Sequence, residues 1–176
     1  MKNKFVLRIS SGTLRGRGIT SPEGMSVRPT ATRIKEALFN RYRSRMNGAD
    51  FLDLFAGTGQ MGLEAVSNGA NAVLADQDPA LARKNCEAVG VSVRIMQADF
   101  RETVRRLKTE GKSFDFIFAD PPYRDGLYEE IIALCQPLLK ADGVLILEHA
   151  SDDSLPGVEE TRAYGSRSLS FIGGES

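Results

Sequence analysis

From residue 51 onward, short apolar runs alternate with stretches whose apolar residues recur every three or four positions, and the joints between them carry glycine or aspartate. Residues 51–55 form an apolar run broken by Asp53, which predicts a strand. Residues 59–68 then place Met61, Leu63, Ala65 and Val66 on the apolar side of a helix. Residues 72–75 predict a second strand ending at Asp76, and the next helix has Asp78 as a good N-cap with Pro79 in its first turn. The pattern continues with a strand over 91–96 followed by Asp99, a helix over 100–110, a strand over 114–119, a helix over 127–140 and a strand over 144–147. Alternation of this kind predicts an α/β fold, with right-handed crossovers placing helices on both faces of a parallel sheet. The close differs: runs 158–164 and 168–172 flank Gly165-Ser166-Arg167, the pattern of a hairpin that adds an antiparallel pair at the sheet edge. The expectation is a seven-stranded, mostly parallel sheet.

Ahead of the repeat, runs 5–9 and 14–19 predict a small hairpin around Ser11-Gly12. Residues 32–45 predict an amphipathic helix with Ile34, Ala37, Leu38 and Tyr42 on one face and arginines on the other. Residues 1–46 are therefore expected as a hairpin and helix appended to a core over 47–176, in one domain. A chain of 176 residues, 41% hydrophobic and 26% charged, is long enough for one such core. No apolar run approaches the roughly 20 residues of a membrane helix. The opening MKNKFVLRIS lacks the apolar segment of a secretory signal, so a cytoplasmic location is expected.

The formal net charge is zero, but residues 1–45 hold eleven Lys and Arg against Glu23 and Glu36, a net of +9, and the remainder carries −9. A basic end on a mildly acidic body suits a polyanion, most simply nucleic acid. The run Gly12-Thr-Leu-Arg15-Gly16-Arg17-Gly18 is expected to expose cations on flexible backbone; a merely solvated surface is the plainer alternative. Cys86 and Cys135 have no partners at metal-ligand spacing, so buried thiols and no metal site are expected. His149, after the apolar run 143–147, reads as a strand-end structural residue ahead of a catalytic base.

Candidate chemistry begins with "DLFAGTGQMGLEA" (53–65), which contains Gly57-x-Gly59-x-x-Gly62. In a doubly wound sheet the ligand sits at the carboxyl ends of the strands, which singles out Gly57, Gly59, Asp76, Asp99 and Asp120. Asp76 comes nineteen residues after Gly57, where a carboxylate can accept both hydroxyls of a ribose. These features fit NAD and S-adenosylmethionine equally, and the glycine spacing alone is common. Asp53 separates them: in D-x-x-x-G-x-G its carboxylate suits the ammonium of a methionine moiety and has no obvious use beside a pyrophosphate.

The second discriminating feature is "FIFADPPY" (116–123). Two consecutive prolines supply no N–H donors, so carbonyl oxygens can face the cleft as acceptors beside Asp120, which suits an exocyclic amine. Tyr123 is placed to stack on the ring that carries the amine. A proline turn with a core tyrosine is the plainer reading, and its position after the fourth strand, behind a D-x-x-x-G-x-G loop, argues against it.

Residues 53–59 resemble motif I, and residues 120–123 motif IV, of the amino-group class of S-adenosylmethionine-dependent methyltransferases. "RISSGTLRGRGI" (8–19), "VRPTATRIKEALFN" (27–40) and the closing "RAYGSRSLSF" (162–171) resemble signatures of the RsmD family, and the resemblance runs over nearly the whole chain. That family methylates the exocyclic N2 of guanine 966 in bacterial 16S ribosomal RNA. The resemblance implies a Rossmann-like class I methyltransferase fold with S-adenosylmethionine as cofactor. It implies Asp53, Phe55, Gly57, Gly59, Asp76, Gln77, Asp99 and Phe100 as cofactor-binding residues, and Asp120, Pro121, Pro122 and Tyr123 as catalytic ones. For RNA, Arg8, Arg15, Arg17, Arg28 and Arg33 are assigned to phosphates. The implied partner is 16S ribosomal RNA in the small subunit or an assembly intermediate, met by a monomer without metal or membrane. Two positions depart from the family pattern, which commonly has Glu at 76 and a small residue at 60. Asp78 and Asp99 also read as helix N-caps.

Three rivals make different predictions. A dehydrogenase would need a second domain and a histidine-like centre. An amino-methyltransferase for DNA adenine, another RNA base or protein glutamine shares motif IV, and the arginine-rich start argues against the protein target only. A non-catalytic RNA-binding relative is expected to show damage in motif I or motif IV, and both are intact.

Overall fold

The computed structural model describes residues 6–22, 29–122, 127–155, 157–158 and 160–173. Two short antiparallel strands, β1 (Val6–Arg8) and β2 (Gly18–Thr20), lead into helices α1 (Pro29–Arg41) and α2 (Arg43–Met46). Then follow β3 (Asp50–Asp53), α3 (Gln60–Ser67), β4 (Asn71–Asp76), α4 (Ala80–Val89), β5 (Arg94–Gln97), α5 (Phe100–Thr109), β6 (Phe114–Ala119), α6 (Leu127–Cys135) and β7 (Leu139–Ala150). A closing hairpin joins β8 (Glu160–Tyr164) to β9 (Arg167–Gly173). The seven-stranded sheet has the order β5-β4-β3-β6-β7-β9-β8, with β3 to β7 parallel and β9 antiparallel to both β7 and β8. The order reverses between β3 and β6, and a crevice opens outside the strand ends at such a reversal.

Side chains alternate between two faces along each strand. Phe51, Phe116, Phe118, Ile146, Leu169 and Phe171 pack under α1, against Ile34, Leu38, Phe39 and Tyr42. Leu52, Ile117, Ala119, Leu145 and Leu147 face the other way, onto Val104 and Leu107 of α5 and Tyr128 and Ile131 of α6. Each large side chain withdrawn completely from water contributes roughly 1.5–3 kcal/mol. Ile9 and Ile19 of the first hairpin lie with Leu63 of α3, Leu74 of β4 and Ala82, Cys86 and Val89 of α4. Both cysteines are buried free thiols, and burial pushes the Cys135 thiol up to about 12.

The first hairpin differs from the expected one. Strand pairing covers only three residues a side, and residues 10–17, read as partly strand and flexible, are docked on α3. Thr13 N–H donates to the Ser67 carbonyl at 2.8 Å, Leu14 N–H to Ser67 Oγ at 2.9 Å, and Gly16 N–H to the Ile9 carbonyl at 2.8 Å. Gly12 is obligatory: its φ is +78° and a Cβ there would stand 2.0 Å from the Ser67 carbonyl oxygen. Beneath it lies a buried ion pair, Lys35 Nζ to Glu64 Oε2 at 3.4 Å, and Glu64 also accepts from the N–H and hydroxyl groups of Ser10 and Ser11. These contacts bind the basic start of the chain to the sheet.

Three other boundaries moved for identifiable reasons. The single helix expected over 32–45 is two, broken at Tyr42, whose ring turns inward to lie 5.0 Å from Phe116. The helix expected to reach residue 140 stops at Cys135, because Pro137 has no N–H to continue it, and a 3-10 turn (Gln136–Leu138) follows. That shortening lets β7 run for twelve residues where only 144–147 had read as strand.

Candidate active site

The candidate acids fall at the carboxyl ends of four neighbouring strands. In sheet order they are Asp99 after β5, Asp76 ending β4, Asp53 ending β3 and Asp120 after β6. Strands lie 4.7–4.9 Å apart, so three intervals make a row about 14 Å long. The sequence motifs are far apart in the chain, and the reversal of strand order at β3 and β6 brings Asp53 and Asp120 together.

Asp53 is 1% exposed, and neither carboxylate oxygen has a hydrogen-bond partner among the described residues. Burial pushes its carboxyl up to about 7; the N–H groups of Gly62 and Phe55 pull the other way from outside hydrogen-bond geometry, and Asp76 adds to the rise. A buried carboxylate left without a donor is costly, and a cation placed beside it would relieve that cost.

Next to it, the turn after β3 is held in shape by other side chains. Gly57 N–H donates to Asp76 Oδ2 and Asp78 N–H to Asp76 Oδ1, at 2.8 and 2.9 Å. Asn85 of α4 donates through Nδ2 to the Thr58 carbonyl at 2.8 Å and to the Thr20 carbonyl at 2.9 Å, tying the turn to β2. Gly57 and Gly59 take φ of +54° and +82°, and a Cβ on Gly57 would meet nothing within 4 Å, so the turn has open space beside it. Gly62 has a different reason to be glycine: a Cβ there would stand 2.0 Å from Leu74 Cδ2, so α3 packs on β4 at the closest approach. Gln77 is exposed at the strand end.

Farther along the row, Asp99 Oδ1 accepts from Glu102 N–H at 2.8 Å and so caps α5, as one of its two readings expected. Phe100 is buried, and the half-buried Phe55 ring lies 5.5 Å from it, closing that end of the crevice. Pro79, and not Asp78 as expected, stands at the N-cap of α4, and Asp78 only accepts from Ala80 N–H at 3.3 Å in the turn before it.

At the opposite end, Asp120 is half-buried, Pro121 buried and Pro122 exposed; Tyr123 lies outside the described residues. Burial first, and Glu148 second, raise the Asp120 carboxyl above the ordinary carboxylate range, while Arg167 pulls it down. Arg167 Nη2 donates to Asp120 Oδ1 at 2.7 Å, and Arg167 Nε to Glu148 Oε2 at 3.1 Å. The sequence reading missed Arg167, Glu148 and Asn85; only Arg167 had a signal, its place in the closing signature. His149 is a buried β7 residue with Nε2 2.7 Å from Ser170 Oγ, the structural role expected of it.

Arg8, Arg15 and Arg17 share the first hairpin, away from the row of acids. Helices α3 and α4 run from the crevice to the opposite edge of the sheet. Arg15 follows the loop docked at the last residue of α3, and Arg17 Nη2 reaches the Ala88 carbonyl in the last turn of α4 at 3.5 Å. With α3 eight residues and so about 12 Å long, both stand away from the row of acids. Arg8 Nη1 donates to the Gly16 carbonyl on the same hairpin at 3.0 Å. Helix α1 descends toward that far edge, where Arg45 of α2 donates to the Asp142 carbonyl, so the exposed Arg33 near its start is nearer the crevice. Arg28 lies outside the described residues.

The profile of the family described as conserved hypothetical protein 95 matches residues 7–172. Ribosomal RNA small subunit methyltransferase D of Escherichia coli K12 is 33% identical over 159 residues, 86% of this chain and 79% of that protein. The chain belongs to the RsmD family. A solved hypothetical protein of Thermus thermophilus superposes on this family member with a TM-score of 0.84 at 36% identity, covering 96% of this chain and 99% of the other. The Thermus thermophilus 16S rRNA N2 G1207 methyltransferase RsmC, solved with AdoMet and guanosine, has a TM-score of 0.74 at 22% identity, covering 98% of this chain and 50% of that one. At that identity the RsmC likeness is one of fold: the RsmD-family chain has the class I methyltransferase sheet. Among its described residues no helix is long and apolar enough to cross a membrane, and no cluster of His, Cys, Asp or Glu could hold a metal.

Proposed function

We propose that this protein transfers a methyl group from S-adenosylmethionine to the exocyclic N2 amine of guanine 966 in 16S ribosomal RNA. The observation that carries the reading is Asp53, a buried carboxylate without a donor at the end of β3, between the glycine turn and Asp120. Its orphaned oxygens fit the ammonium of the cofactor's methionine end, and the open space beside Gly57 leaves room for that group. Asp76 would accept the ribose hydroxyls with the lone pairs left after Gly57 and Asp78, and Gln77 lies next to it. Asp99 Oδ2 would take the adenine amino group, with Phe55 and Phe100 as its apolar walls.

S-adenosylmethionine, when bound, supplies a methyl group on a sulfonium that already has a good leaving group. The protein's task is then to align a weak nucleophile, and alignment supplies roughly 7–11 kcal/mol in favourable cases. Asp120 and the Pro121 carbonyl accept the two hydrogens of the amine, which favours a pyramidal nitrogen with its lone pair directed away from them. Tyr123 stacks on the guanine. Asp120 acts as an acceptor, and the amine proton leaves to water after transfer. Arg8, Arg15, Arg17, Arg28 and Arg33 contact phosphates, which gives affinity and salt dependence with little sequence choice. The protein works in the cytoplasm as a monomer, on the small subunit or an assembly intermediate.

The test incubates the protein with methyl-labelled S-adenosylmethionine and, separately, unmodified small ribosomal subunits, deproteinised ribosomal RNA and duplex DNA, and identifies the labelled nucleoside. N2-methylguanosine at position 966, lost in Asp120→Ala, is the expected result. N6-methyladenine in DNA would keep the chemistry and overturn the target, and no label in any sample would overturn the reading.

A further inference from the structure

Three side chains at the Asp120 end form a charged chain across three strands. Asp120 follows the Ala119–Leu147 pair of β6 and β7, so Glu148 is its lateral neighbour; Glu148 pairs with Leu169 of β9, and Arg167 is two residues from Leu169 on the same face. The Arg167 guanidinium touches both acids: Nη2 lies 2.7 Å from Asp120 Oδ1 and 3.1 Å from Glu148 Oε2, with Nε also 3.1 Å from Glu148 Oε2. Its backbone is anchored where β9 begins. Ser151 N–H donates to the Ser166 carbonyl and Ser151 Oγ to the Gly165 carbonyl, both at 2.8 Å, which fixes the turn before it.

We propose that Arg167 is a positioning residue for methyl transfer: held by Glu148, it fixes the Asp120 carboxylate through Oδ1 in the orientation that accepts from the substrate amine. The inference rests on the reading of Asp120 as the amine's acceptor. An aspartate one residue past a strand end, followed by two prolines with no N–H to offer, has few backbone donors to hold its carboxylate. A guanidinium supplies that hold, since its planar fork bonds two acceptors in fixed directions. It also bears on the charge state, pulling the Asp120 carboxyl down against burial and Glu148, which together still hold it above the ordinary range. A protonated Asp120 would present a donor to an amine that itself brings only donors, so the carboxylate has to be ionised. The charged and titratable groups facing it are Glu148 on β7, Arg167 on β9, Asp53 on β3 and Tyr128 on α6. Glu148 and Asp53 oppose ionisation and Arg167 favours it. Arg167 and Glu148 therefore act on Asp120 with opposite signs.

The experiment follows the Asp120 carboxyl by ¹³C NMR across pH in the full chain, and in parallel the pH profile of kcat on the nucleic acid the protein methylates. Arg167→Met is expected to move the Asp120 midpoint up by about one to three pH units, as loss of an adjacent opposite charge does, and to carry the acidic limb of kcat with it. Glu148→Gln moves both downward. Arg167→Lys restores the midpoint and only part of kcat, because a point charge cannot hold both acids as a fork does. KM for S-adenosylmethionine stays at the wild-type value throughout. A merely structural role would lower kcat without displacing the limb, and midpoints that stay in place or move in the same direction in Arg167→Met and Glu148→Gln would overturn the proposal. If Arg167→Met does not fold, Arg167→Lys and Glu148→Gln decide it. Midpoints that move as expected in a protein that methylates no nucleic acid would sink the reading of the site, and the role in transfer with it, while leaving the charge coupling measured.

Discussion

Gly57 N–H donates to Asp76 Oδ2 at 2.8 Å, so the glycine turn after β3 and the carboxylate ending β4 are joined. Asp76 therefore shapes the turn in addition to the ribose-binding role proposed for it, and its other oxygen holds Asp78 N–H. Asp76→Ala leaves two amide donors without this acceptor, and a lost hydrogen bond to a charged group is worth about 1.5–3 kcal/mol. The expected result is a fall in S-adenosylmethionine affinity of roughly ten- to a hundredfold. Calorimetric titration of the folded variant measures it, and unchanged affinity would remove Asp76 from the site.

Asp53 links stability to pH in the direction of a raised carboxyl. The unfolded chain ionises it near 3.8 and the folded protein near 7, so the folded state binds the extra proton between those values. Its contribution to stability is then complete below about pH 3.8 and lost as pH rises to about 7. Asp53→Asn removes that loss, and at pH 8 the free variant is expected to be more stable by up to about 4 kcal/mol. It should also bind S-adenosylmethionine far more weakly, since an amide does not pair with an ammonium. Wild-type affinity should tighten from pH 5 to 7, by at most about tenfold per pH unit. Urea midpoints and titrations at several pH values test both halves.

Glu64 is the hub that binds the N-terminal segment to the core. Glu64→Ala leaves the buried Lys35 charge with only the Arg8 carbonyl as partner, and the Ser10 and Ser11 amides without an acceptor. Removing one partner of a buried pair costs about 3–5 kcal/mol. Denaturant unfolding should show that loss, with hydrogen exchange accelerated first at Ser10 and Ser11.

Gly12 and Gly16 have nearly the same φ, +78° and +86°, yet only Gly12 is crowded. Gly16→Ala should cost about 1–2 kcal/mol, the strain of the left-handed region alone. Gly12→Ala adds a collision with the Ser67 backbone and should cost roughly 3 kcal/mol or more. Equal losses on denaturant unfolding would mean that the loop is not docked as described.

For RNA binding, Arg33 and Arg15 should differ. Arg33→Ala is expected to weaken binding to small-subunit RNA and to reduce the slope of log affinity against log salt by about one. Arg15→Ala, near the end of α3 and farther from the row of acids, should change the slope less. The reverse ranking would place the RNA track along the hairpin tip.

Much of this protein was legible in its sequence because the signals are local. Apolar spacing revealed the strands and helices from residue 51, the residues 114–119 appeared as strand β6 with both ends as read, and D-x-x-x-G-x-G and D-P-P-Y marked two of the strand ends that the fold brings together. Tertiary contacts decided the rest. No local pattern says that Glu64, inside a helix, will take its hydrogen bonds from residues 10 and 11, or that Gly12 will rest on Ser67, because those partners are more than fifty residues away. Arg167 read as a polar residue in a hairpin turn within the closing signature, with no sign of its partner, and met Asp120 once β9 added itself antiparallel beside β7. Sequence determined which segments could be buried and which acids would end strands, since those follow from the period of side chains along a backbone. Which charges meet depends on strand order and register, and these are settled by the packing of the whole sheet.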